Sequence, residues 1–120
     1  MSGFLNFFIP DKLKQEIEVV SYRNSSFKVS SNSMIFLDSK LGEISIILPS
    51  NPESGDTIIL MDYNNTWNLN NINVIPNNKK ILGKNENLVL NINNIIVILY
   101  YYGDDSKFQW GCVPLNFSFE

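Results

Sequence analysis

The side chains that could do chemistry in this chain are twelve carboxylates, one cysteine and a small set of aromatics; histidine is absent. Without histidine, Ser-His and Cys-His nucleophile pairs and histidine-ligated metals are impossible. Two carboxylates facing each other would serve glycoside hydrolysis. Glu18 with Glu43, or Asp56 with Asp62, are the pairings to consider. Nothing in their flanking sequence supports that use, and solvated strand faces and turns account for them better. Asp104-Asp105 supplies too few oxygens for calcium and reads as a turn. There is no glycine-rich phosphate loop and no EF-hand spacing. No catalysis and no cofactor are expected.

Cys112 stands alone, which excludes an intrachain disulfide and a cysteine-rich metal site. Between Gly111 and Val113 on a strand it is expected to be a buried, reduced packing residue. Tyr63, Trp67, Tyr100, Tyr101, Tyr102 and Trp110 could together form a platform on which a sugar stacks. Trp67 is the best ligand candidate, with Tyr63 beside it, because it lies in the polar run from Asn64 to Asn71, where a core has little claim on it. In Tyr100-Tyr101-Tyr102 alternate rings face opposite sides of a strand, so at least one is expected to point outward or into a subunit interface.

The elements that must position these groups follow from the apolar pattern. Short apolar runs with a period of two are separated by Asn, Gly, Asp and Pro clusters at near-regular spacing, which is the signature of an all-β fold. The runs cover Ile17–Tyr22, Phe27–Val29, Met34–Leu37, Glu43–Leu48, Asp56–Met61, Ile72–Ile75, Lys79–Leu82, Leu88–Leu90, Ile95–Tyr102 and Lys107–Val113. Asn77-Asn78 fits a hairpin turn, since both positions accept positive φ. Pro114 is expected to begin a tail. No helix bridges the runs, so a parallel βαβ layout is excluded. The expected fold is a compact antiparallel β-sandwich or barrel-like module with short strands and Asn/Gly-rich turns.

The 120 residues are enough for one core and one domain. Residues 17–120 read as a single β domain, and residues 1–16 read either as an edge segment that packs on the core or as an attachment arm. In that segment Phe4, Phe7 and Phe8 are candidate docking residues, because aromatics carry much of the energy of interfaces. Eighteen asparagines, no alanine and a single arginine, Arg23, point to an AT-rich genome more than to function. The net charge is −3 and no basic stripe exists, which argues against nucleic acid as a partner. No apolar run is long enough for a transmembrane helix.

One ordered series carries a resemblance. Leu48-Pro49 is followed by Gly55-Asp56-Thr57 at a strand start, then Ile72–Ile75, Ile81–Gly83, Leu88–Leu90, Val97–Tyr101 and Trp110 after the last turn. This series resembles a small β module that recurs in tail-fibre and other structural proteins of tailed bacteriophages, and it spans about half of the chain. The match departs from the module at Ile81-Leu82, where small residues are usual. The resemblance implies a virion protein of the tail fibre, baseplate or head surface, acting in assembly or host attachment. It implies homotrimerisation, contact with other virion proteins, and no enzymatic activity; a host surface glycan is a further partner if the exposed aromatics bind a sugar. Two alternatives stand beside it: a carbohydrate-binding module and a capsid decoration protein.

Overall fold

A computed structural model describes residues 17–116 of the chain. Nine strands make up the fold: β1 (Ile17–Ser21), β2 (Phe27–Lys28), β3 (Ser33–Asp38), β4 (Ile44–Ile47), β5 (Thr57–Asp62), β6 (Ile72–Ile75), β7 (Leu88–Leu90), β8 (Ile95–Tyr101) and β9 (Trp110–Asn116). Among the described residues there is no helix. The all-β expectation holds.

The antiparallel layout does not. The first sheet has the order β1-β3-β5-β8-β9 and the second β2-β4-β6-β7. β1, β3 and β5 are parallel, as are β2, β4 and β6. Only β7, β8 and β9 run antiparallel to their neighbours. Both sheets are therefore mixed. A parallel pair needs a long crossover, which is commonly a helix. Here the crossover is a strand of the other sheet. The chain winds from β1 to β2, to β3, to β4, to β5 and to β6, changing sheet at each step. It then reverses through β7 and β8, and β9 closes the first sheet at its far edge.

The two sheets share one core. Val20, Ile35, Leu37, Ile58, Leu60, Val97 and Leu99 of the first sheet cluster with Ile44, Ile46, Ile72, Val74 and Leu90 of the second. The rows are set by register: Ile35 pairs with Leu60 and Leu60 with Val97, while Phe27 pairs with Ile46 and Ile46 with Val74. Apolar side chains at alternate positions thus stack from one strand to the next. The opposite face of the first sheet is apolar as well. Met34, Ile59, Ile98 and Val113 form one row across it, and Val19, Phe36, Met61, Ile96 and Leu115 form the next.

Two sequence boundaries shift. Lys79–Leu82 is not a return strand, although Asn77 and Asn78 do take φ of 54° and 73°. The chain leaves the second sheet there, and Ile81 bridges to Lys84 and to Trp110 instead. Pro114 does not begin a tail but sits inside β9, opposite Val97. β9 is an edge strand, so its outward side needs no N–H at that position.

Two substitutions separate the shared core from the surface. Leu60 is fully buried at the centre of the first sheet, whereas Leu41 is 82 % exposed in a turn. Leu60→Ala is expected to lower the unfolding free energy by about 2–5 kcal/mol. Leu41→Ala should stay within about 0.5 kcal/mol. Urea denaturation of both variants checks this.

Candidate functional site

The Gly-Asp-Thr segment works as a structural joint. Gly55 has φ of 94°, a region that a side chain would strain. Its N–H donates to the Tyr101 carbonyl at 2.8 Å. The buried Asp56 carboxylate accepts from the Glu53 N–H at 2.9 Å and from Asn32 Nδ2 at 3.2 Å. Asn32 Oδ1 in turn accepts from the Thr57 N–H at 3.1 Å. One asparagine and one aspartate thus tie the start of β3 to the start of β5. Asp62, at the other end of β5, accepts from the Thr66 N–H at 3.1 Å and the Asn94 N–H at 3.3 Å. The two carboxylates stand at opposite ends of a six-residue strand, about 20 Å apart by strand rise. A glycosidase pair lies no more than about 9.5 Å apart, so Asp56 and Asp62 do not form one.

The most connected polar cluster lies at the turn between β8 and β9. Tyr101 packs inward, with its ring 5.1 Å from that of Trp110. Its hydroxyl donates to the Asp104 carboxylate, to which Lys79 Nζ also donates at 3.0 Å. Gln109 completes the joint by donating to the Asp104 carbonyl at 3.1 Å and accepting from the Lys80 N–H at 2.8 Å. Burial, then the bond to Asp104 and its charge, push the Tyr101 phenol up to about 12. The Tyr101 bond, then the Lys79 bond and charge, hold the Asp104 carboxyl below the usual carboxylate range. Both shifts move away from neutrality. A general acid or base works best with a pKa near the operating pH, so this trio fastens the turn and is not arranged for proton transfer.

The aromatic platform expected from the sequence is rearranged. Trp67 is fully buried, and its indole N–H donates to the Leu37 carbonyl at 3.1 Å. The polar run around it folds into a turn in which the Leu69 and Asn70 N–H groups donate to the Thr66 carbonyl. That turn carries the indole into the core between the sheets. Trp67 therefore offers no ring face to a sugar. Tyr63 is 51 % exposed, and its ring meets Phe36 edge-on at 5.8 Å. Phe4, Phe7 and Phe8 lie outside the described residues. Trp110 is as buried as Trp67, yet its indole N–H has no partner among the described residues, so volume and the Tyr101 contact hold it there.

The exposed aromatics that do lie together are Tyr100 and Tyr102, with ring centroids 4.9 Å apart. They are 39 % and 52 % exposed. The Tyr102 ring lies over Gly111, where a Cβ would come within 2.5 Å of its edge. The alternation of the Tyr100-Tyr101-Tyr102 run gave the direction of these rings. Their pairing had a fainter signal, a glycine one strand over that leaves room for an aromatic.

The remaining groups do not converge. Among the described residues, no three acidic or thiol side chains are placed to hold a metal ion. A polar groove of about 250 Å³ is lined by Tyr22, Arg23, Asn24, Glu43 and Ser45. Arg23 stands over the Phe27 ring at 4.9 Å, and Glu43 accepts from Asn73 Nδ2 at 3.2 Å. A second groove, of about 210 Å³, is lined by Ile81, Leu82 and Leu88 with Lys84 and Glu86. Cys112 is half-buried against the core rather than fully enclosed, and burial pushes its thiol up. No protein-family model matches the chain, and no match is found among curated proteins.

The Tyr101 phenol supplies a pH test. Its pKa is higher folded than unfolded, so its contribution to stability is complete below pH 10 and is lost as pH rises through about 12. Ultraviolet titration of the native protein should show one of the five tyrosines ionising near pH 12. That late step should vanish in Tyr101→Phe and move to lower pH in Asp104→Asn.

Proposed function

We propose that this chain is a structural protein of a tailed-phage particle, placed at the tail fibre, baseplate or head surface, where it serves assembly or host attachment. The observation that carries the reading is the wind of the chain. Three strands in each sheet stack in parallel, and antiparallel strands close the stack at one end. Parallel stacking of this kind builds quasi-one-dimensional structures whose contacts run between neighbouring layers. Of the series behind the phage resemblance, Ile81–Gly83 forms no strand, while two other parts take up structural places. Gly55, Asp56 and Thr57 form the joint at the start of β5, and Trp110 opens β9 on the core side. The chemistry of the site adds support, since its polar clusters fasten turns. On this reading the protein is not an enzyme, and its partners are other virion proteins and further copies of itself in a homotrimer.

A second reading, glycan binding, is favoured by Tyr100 and Tyr102. Two adjacent, exposed rings on one face suit stacking against a sugar, because an aromatic body with a polar tip works at wet interfaces. The two readings are compatible if the particle meets a host glycan there.

Peptide mass spectrometry of gradient-purified virions tests the first reading. The chain should be present at a fixed ratio to the other structural proteins, and its absence from intact particles would sink the proposal. Light scattering after size exclusion should give about three times the 13.7 kDa chain mass. Only monomer well above micromolar concentration would remove the trimer. Any glycan-array signal should fall at least about tenfold in Tyr100→Ala/Tyr102→Ala if the rings stack on a sugar.

A further inference from the structure

Glu43 is the one carboxylate among the described residues that line the polar groove beside Tyr22, so the groove has no catalytic pair. Its walls are nonetheless organised. β2 and β4 run parallel, with Phe27 opposite Ile46. The residues that precede these partners, the turn from Tyr22 and the stretch from Glu43 to Ser45, therefore lie side by side and border about 250 Å³. Three side chains of the groove are exposed and still held. The Tyr22 ring is 43 % exposed and rests against Gly42, where a Cβ would come within 2.5 Å of its edge. Its hydroxyl donates to Asn24 Oδ1 at 2.8 Å. Arg23 is placed over the Phe27 ring at 4.9 Å, and Glu43 accepts from Asn73 of β6 at 3.2 Å. None of the three belongs to the core. Ordering exposed side chains costs rotamer entropy, and a ligand that meets them already ordered is spared that cost. Arg23 is also the one arginine of the chain. A genomic bias against arginine accounts for its absence elsewhere, not for its place here.

We propose that this groove binds a neutral saccharide, one pyranose ring at a time. Every sugar hydroxyl both donates and accepts, so the site must offer both kinds of partner. The contact with Phe27 uses the face of the Arg23 guanidinium, and its N–H donors, which lie in the plane, remain available. Asn24 Nδ2 and the Ser45 hydroxyl add neutral donors. Glu43 gives one oxygen to Asn73 and keeps the second as an acceptor. Tyr22 supplies an aromatic body with a polar tip, which suits the C–H face of a pyranose at a wet surface. Charge selects against the other small ligands. Arg23 and Glu43 cancel, and the Glu43 carboxylate repels a phosphate or an acidic sugar. A peptide would need apolar pockets for its anchors, whereas one aromatic ring lines this groove. The volume lies below the roughly 300–1,000 Å³ of pockets for drug-sized ligands, which favours a single ring. The site is independent of any place in a virion. It shares its ligand class with the second reading but not the Tyr100–Tyr102 surface.

Amide chemical-shift mapping on the isotope-labelled full chain tests the site without any substitution. The probes are glucose, galactose, mannose and N-acetylglucosamine at millimolar concentration, with inorganic phosphate and sialic acid as the anionic arm. At least one neutral sugar should shift the amides of Tyr22, Arg23, Asn24, Glu43 and Ser45 saturably. Shifts confined to Tyr100, Tyr102 and Gly111 would uphold the second reading and overturn this site. Shifts at the groove with phosphate or sialic acid alone would overturn the neutral class. No saturable shift at the groove with any neutral sugar overturns the proposal outright. For the sugar that binds, Tyr22→Ala and Glu43→Ala should each weaken the affinity at least about tenfold, while Trp67 and Trp110 keep buried-indole fluorescence. Unchanged affinity in both folded variants overturns the proposal. Should either variant lose its fold, the shift map of the natural chain decides the matter.

Discussion

The whole arrangement depends on one constraint: the wind must cross the space between the two sheets and fill it with apolar side chains at every passage. Ile35, Leu60 and Val97 stack on one side, and Phe27, Ile46 and Val74 on the other. Each strand is too short to be stable by itself. Each becomes stable by adding one more row to a core that its neighbours have begun. This is why β2, only two residues long, persists at an edge. Its Phe27 packs against the core, and Arg23 lies over the same ring.

A fold made of such passages is also made of turns, and asparagine meets their needs. Among the described residues, five of the seven non-glycine positions with positive φ are asparagines: Asn32, Asn65, Asn77, Asn78 and Asn94. Others tie successive layers through the side-chain amide. Asn70 donates to the Ser39 carbonyl, Asn77 to the Leu48 carbonyl, Asn64 to Asp38 and Asn73 to Glu43. Each of these bonds joins the second passage through the sheets to the third. The amide carries both a donor and an acceptor and tolerates left-handed backbone. A genomic bias toward asparagine and a structural use for it are therefore compatible, and composition alone shows only the first.

Local structure was legible in the sequence and pairing direction was not. Period two and turn clusters located all nine described strands within a few residues and added one run, Lys79–Leu82, that is not a strand, because both signals act over a handful of positions. Parallel and antiparallel strands with one wet face share the same alternation, so the pattern is silent about direction. A repeat would have betrayed the wind, but the spacing is uneven. Ile17 meets Met34 and Met34 meets Ile59, while Phe27 meets Ile46 and Ile46 meets Val74. Trp67 was misplaced for a related reason. Its neighbours are polar because they face water and the turn, and the indole enters the core against that local average. The inward face of Tyr101 and the outward faces of Tyr100 and Tyr102 were readable, because they follow from alternation alone.

The edges of the two sheets bear on how such a module could assemble. An open edge invites pairing with another chain unless something blunts it. β9 carries Pro114, which leaves its open edge short of one N–H. β2 has two residues and β7 three, too few to template a long partner. Three of the four edges are thus poor places for strand addition. The remaining edge, β1, continues the parallel stack and leads directly into residues 1–16. Higher assembly by strand addition would have to use that end, and any other contact would have to be made by side chains on the faces. Exposed faces with aromatic or aliphatic character, such as the one carrying Tyr100 and Tyr102, are then the surfaces on which an oligomer or a neighbouring protein would gain most by excluding water.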